Sequence, residues 1–193
     1  MDTVFPDHQV GMLPTSLWVN GKAYAIRTDF RFIIRINIAF NDPELEDNEK
    51  VYVCLCILYE DFEDMPKSDY EAAFLAALEF IDHGVKGSEK NPPRLMDWEH
   101  DEDIIFAAVN KTAGFEVRSV KYLHWWTFIG YFMEMGEGVF TRVLGLRMKK
   151  SKGKPLEKWE REYWNANKTV CVLEAKLTEE EKAAKDRLNA LLG

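Results

Sequence analysis

Cysteine is scarce and odd in number: Cys54, Cys56 and Cys171 are the three in a chain of 193 residues. That excludes a disulfide framework and favours a reducing compartment. Long apolar runs are missing as well. The longest mainly apolar stretches without a charge are Val51–Tyr59 and Tyr122–Met133, both well short of the roughly 17–25 residues that span a bilayer. The opening Met1-Asp2-Thr3-Val4-Phe5-Pro6-Asp7 has neither a basic region nor an apolar one, so no secretory signal is expected. A basic excess is also absent. Lysine and arginine number 25 against 33 aspartates and glutamates, a net charge of −8. Such a surface repels duplex DNA and anionic membranes, so neither a nucleic acid nor a membrane is expected as partner. The expectation is a soluble cytosolic protein.

Apolar residues are plentiful, at 47%, and aromatic ones reach 13%, including six Trp. A chain of this length should bury about 70% of its unfolded surface, as one domain or one domain with an appendage. Residues 1–16 show little periodicity and read as an irregular arm. Over 17–26, Asn20-Gly21 between two short alternating runs predicts a β-hairpin, because a type I′ turn needs positive φ at both central residues. Trp18 and Tyr24 are expected to face one another across it.

Helical patterns follow. Thr28 or Asp29 is placed to cap a segment reaching about Phe40, although its apolar residues also suit a strand. Val51–Tyr59 reads as a buried helix. Ser68 with Glu71 forms a capping-box pattern for a helix to His83, closed by Gly84. Gly84–Pro93 is the most loop-like interior stretch. The acidic run Asp97, Glu99, Asp101, Glu102, Asp103 suits the positive end of the next helix, which runs to Gly114. Ser119–Met135 gathers Tyr122, Trp125, Trp126, Phe128, Ile129, Phe132 and Met133 on one broad face, with His124, Thr127, Tyr131 and Glu134 opposite. A helix from Gly138 to about Met148 comes next, then a flexible basic joint, Lys149–Pro155. Beyond it Trp159, Tyr163 and Trp164 share a helical face. After a break near Asn167–Val172, Thr178 with Glu181 predicts a capped, polar last helix ending at Gly193.

Reactive constellations are thin. Gly136-x-Gly138 lacks the lysine of a phosphate-binding loop. Cys54-x-Cys56 lacks metal-ligand spacing on a helix and reads as buried thiols. Asp97, His100, Asp101 and Asp103 are common ligand types, but they follow one another along one segment, and helix-dipole complementation accounts for them. His124 has no serine, cysteine or carboxylate at a matched spacing and fits the polar strip of its helix. The lysine cluster at 149–154 lacks interleaved aromatics and fits a solvated linker. No catalytic residue, metal or cofactor is expected.

One segment is more specific. Val120-Lys121-Tyr122-Leu123-His124-Trp125-Trp126-Thr127-Phe128 resembles the hallmark stretch of the bacteriophage gene-product-fifteen proteins. The hairpin running into Thr28-Asp29-Phe30-Arg31, and Asp97-x-x-x-Asp101 leading into Ile104, Ala107 and Ala108, fit the same family. The stretch Trp159–Trp164 fits it more weakly, and together the likeness covers about residues 17–165. It implies a protein of phage, prophage or bacteriocin tail modules in Gram-positive hosts, encoded just ahead of the tape-measure gene. That is the position of tail assembly chaperones, and the family offers no catalytic residues to carry over.

The reading is a mainly α protein: a helical domain over 17–150 with its hairpin, and a C-terminal helical segment over 155–193. The expected function is a non-catalytic tail assembly chaperone in the host cytoplasm. Its expected partners are the tape-measure protein, the tail tube protein and further copies of itself. The alternative is a structural component retained in the tail or connector. Tyr122, Trp125, Trp126, Trp159, Tyr163 and Trp164 are the candidate partner-binding residues, since aromatic anchors dominate such interfaces.

Overall fold

A two-residue turn with Asn20 at φ 47° and Gly21 at φ 84° joins β1 (Ser16–Val19) to β2 (Lys22–Ala25). Glycine suits the second position because it meets no steric cost at positive φ. The turn pairs Leu17 with Tyr24 and Trp18 with Ala23. Leu17 and Tyr24 therefore share the buried face, while Trp18 points outward and is partly exposed. The expected Trp18–Tyr24 pairing is corrected by this register, which puts the two on opposite faces. The computed structural model describes residues 10–83 and 93–192. Gly84 and most of the expected loop lie outside the described residues, as do residues 1–9 of the expected arm and Gly193.

Among the described residues, nine α-helices follow the hairpin. Asp29 caps α1 (Phe30–Phe40), its Oδ1 accepting from Arg31 N at 3.1 Å, and Phe30, Ile33 and Ile36 form the buried stripe. The strand alternative for this segment is thereby set aside. Glu46 and Glu49 make a reciprocal box at the start of α2 (Asp47–Leu58), which buries Cys54, Leu55 and Leu58. α3 (Tyr70–Ile81) buries Ala73, Ala76, Ala77 and Phe80. It lacks the expected Ser68 cap. A 3₁₀ turn over Lys67–Asp69 leads into it, and the Asp69 carboxylate instead takes hydrogen bonds from Tyr24 Oη (2.8 Å) and Asn20 Nδ2 (3.0 Å). The hairpin is thereby pinned to the start of α3.

α4 (Glu102–Ala113) ends at Gly114, whose φ of 80° permits the left-handed closing turn. The next helix is shorter than the sequence suggests. Val117–Ser119 forms a separate 3₁₀ turn, and α5 spans Trp125–Met133 with His124 as its cap. His124 is thus a buried end residue, 3% exposed, and not part of a polar strip. α6 (Val139–Ser151) absorbs Lys149, Lys150 and Ser151, so the expected joint shrinks to residues 152–157. α7 (Lys158–Ala166) follows, and the expected break near 167–172 holds the short α8 (Lys168–Cys171). Thr178 and Glu181 cap α9 (Glu179–Leu192) reciprocally, at 2.9 and 3.1 Å.

One large core joins the hairpin, α1–α5 and Phe140 of α6. A second, smaller cluster of Val143, Leu146 and Cys171 holds α7 and α8 to α6 through Leu156, Tyr163, Trp164 and Val170. No helix among the described residues is long and apolar enough to cross a membrane.

Candidate partner-binding surface

Two helix starts far apart in sequence are stitched together. Phe30 N donates to Leu123 O (3.0 Å), Trp125 N to Thr28 O (2.7 Å), and Leu123 N to Asp29 Oδ2 (3.0 Å). Arg31 grips both oxygens of Asp29 at 3.0 and 2.9 Å and donates to the carbonyls of Arg118 and Val120. Asp29 thus caps α1 and also orders the backbone leading into α5. His124 does the same for α5: Nδ1 accepts from Trp126 N at 3.0 Å, and Nε2 lies 2.9 Å from Pro14 O. Accepting at Nδ1 and donating at Nε2 defines the neutral ring. Burial pushes the His124 pKa below the usual range, nearby His83 adds to this, and the Pro14 carbonyl opposes it.

The six expected aromatic residues fall into two groups. Tyr122 precedes α5 and is 56% exposed, its hydroxyl 2.7 Å from Thr28 Oγ1. Trp125 is buried and donates from its indole to Ile81 O at 2.8 Å, whereas Trp126 is half-buried and donates to Phe80 O at 3.0 Å. Both bonds fasten α5 to the end of α3. Tyr163 and Trp164 belong to the second cluster, with Arg142 over one ring and Lys150 over the other. Trp159 stays exposed and donates to Glu157.

Trp125 also floors an open groove of about 550 Å³ between α1, the end of α3 and α5. Its apolar lining is Ile81, Met96, Trp98, Ile129, Phe132 and the exposed Met133, and Asn37, Asn41, Asp82 and His83 give it polar edges. Trp98 sits 5.6 Å from Phe132 and 6.4 Å from Trp125, ring to ring. Sequence reasoning did not single out Met96 or Trp98. The signal was there in Trp98, a large apolar residue inside an acidic run.

The acidic run itself does more than complement a helix dipole. Asp101 is buried against Arg147, while Asp97 takes hydrogen bonds from Glu99 N and His100 N and lies beside Arg94 and Lys176. Burial pushes the Asp97 carboxyl up. The His100 N–H and the two cations outweigh it and bring the pKa down to about 2. Arg147 was also missed, although it continues the Phe140–Val143 stripe of α6 at helical spacing. Burial alone pushes the Cys54 thiol up to about 12, so it is no nucleophile. No group of three or more His, Cys, Asp and Glu among the described residues is placed to hold a metal ion.

The family model described as Bacteriophage Gp15 protein matches residues 10–173. The chain belongs to the Gp15 family. Membership makes it a bacteriophage protein of structural or tail-related type. The match runs from just ahead of the hairpin to the end of α8, so the segment after Leu173 and all of α9 lie beyond it. Within this Gp15 protein, the Thr28–Arg31 and Val120–Phe128 segments that carry the resemblance prove to be the stitched helix starts. Comparison with curated proteins and with solved structures gave no match.

Proposed function

We propose that this Gp15 protein is a non-catalytic tail assembly chaperone, active in the host cytoplasm, that holds apolar helical segments of the tape-measure protein during tail assembly. The observation that carries this reading is the groove over Trp125. An amphipathic helix lays a row of side chains spaced i, i+3/i+4 into such a groove, and aromatic and methionine walls adapt to many sequences. A tape-measure protein offers many helical segments of that kind, and a chaperone covering it acts in several copies, so self-association belongs to the proposal.

The test is titration of the purified chain with the tape-measure protein encoded beside it. Met133 is 62% exposed, so Met133→Asp should leave stability intact. It should weaken binding about tenfold or more by placing a charge in the apolar contact. Unchanged affinity would remove the groove from the proposal. Recovery of the chain as a stoichiometric part of finished particles would favour the structural role instead.

A further inference from the structure

Residues 172–178 run without helix or strand from α8 to α9, and 172–177 wall one side of a cleft of about 740 Å³. The facing wall comes from the end of α1 and the connection beyond it, with Ile38, Pro43 and Glu44, and from the turn ahead of α4, with Asp97 and Glu99. This cleft shares no lining residue with the groove over Trp125.

Side chains make the attachment. Lys176 Nζ lies 3.1 Å from Asp97 Oδ2 and 2.6 Å from Glu99 Oε2, and Arg94 Nη1 donates to Glu174 O at 3.1 Å. Leu173 and Leu177 flank the lysine and are half-buried, whereas Glu174 and Ala175 are exposed. Among the described residues, no backbone–backbone hydrogen bond joins 173–177 to the rest of the chain. The contact therefore reads one lysine between apolar neighbours and one backbone carbonyl. Any extended segment with those features meets the same charges, and complementary charge of this kind sets specificity and capture rate.

Two further observations separate the segment from the body it lies on. The fixed wall of the cleft is inside the residues matched by the family model, while 174–178 are beyond them. Upstream, Arg147 holds the carbonyls of Val170 and Cys171, so letting go of the segment leaves α8 in place.

We propose that this cleft is a docking groove for an extended, lysine-centred apolar segment of a protein partner, and that residues 172–178 occupy its edge in cis as a displaceable stand-in. A short tether gives its own segment an effective concentration on the order of millimolar, so a partner at micromolar concentration is held off until the stand-in is weakened. The proposal stands apart from the chaperone reading.

The test uses the full chain and a fluorescent peptide of residues 172–192 as probe, read by anisotropy. Lys176→Glu in the chain frees the groove and should tighten peptide binding about tenfold or more over wild type. Lys176→Ala should do so to a smaller extent. A peptide that itself carries Lys176→Glu should fail to bind. Equal binding to folded wild-type and variant chains, or none to either, overturns the proposal. Unfolding of both variants also overturns it, because the segment would then be part of the fold. So does a wild-type dimer that Lys176→Glu dissolves, because the segment would then be exchanged between copies.

Discussion

Arg147 and Asp101 meet in a buried two-point pair, Nη1 to Oδ2 at 2.7 Å and Nη2 to Oδ1 at 2.8 Å. The remaining donors go to Cys171 O from Nε, Leu95 O from Nη1 and Val170 O from Nη2. All five N–H groups of the guanidinium are thus used. One side chain of α6 ties the start of α4 to α8, and the second cluster forms around it.

Removing that side chain leaves Asp101 buried and three carbonyls unpaired. Arg147→Met should lower the unfolding free energy in urea by about 3–5 kcal/mol. Arg147→Lys should also be clearly destabilising, since an ammonium cannot match the planar fork. A lysine variant as stable as the parent would mean that charge alone holds the clasp.

The two adjacent tryptophans should separate in thermal melts. Trp125 is 2% exposed and stacks on Phe128 with ring centroids 5.8 Å apart, so Trp125→Ala should cost about 3–5 kcal/mol through the cavity it leaves. Trp126 is only partly buried, and Trp126→Ala should cost distinctly less. Equal losses would place the weight of the contact in the indole hydrogen bonds to Phe80 and Ile81.

His124 makes stability fall on mild acidification. Its folded pKa lies below the ordinary histidine value of 6.5, so the unfolded chain binds the proton more readily. The stabilisation is complete above about 6.5 and declines as pH drops below that value. Protonation at Nδ1 also removes the acceptor that caps α5. His124→Asn keeps a capping oxygen, and its stability should be flat between pH 7 and 5 where the parent's slopes. Urea midpoints across that range decide the matter.

Asp97 governs a lower window. Its pKa falls from 3.8 to about 2 on folding, so its contribution is full above 3.8 and is lost as pH falls towards 2. Asp97→Asn should be less stable at neutral pH and show a shallower acid transition. An unchanged acid limb would show that other carboxylates set it.

Local chemistry in the sequence foretold local structure. Asn20-Gly21 turned the hairpin, Asp29 capped α1, Gly114 closed α4, and Thr178 with Glu181 opened α9, each within a few residues of its effect. The start of α5 was not legible. Aromatic periodicity continues upstream of Trp125, and what stops the helix there is Asp29 and Thr28, supplied from the residues just ahead of α1. For the same reason His124 read as part of a polar strip of its helix: its partner Pro14 lies 110 positions upstream. The groove was half visible, because periodicity groups Trp125, Ile129, Phe132 and Met133 on one face. Only tertiary placement adds Met96 and Trp98. Arg147 and Asp101, 46 positions apart, share no local pattern at all.

The stitched helix starts impose a schedule on biosynthesis. Asp29 leaves the ribosome 94 residues before Leu123, the backbone N–H it must receive. At translation speeds of roughly 5–20 residues per second, that is a wait of about 5–20 s. During it the first three helices emerge after the hairpin and expose the apolar face that α5 will cover. A protein proposed to shelter another chain's helices thus begins life with its own central helix still to come.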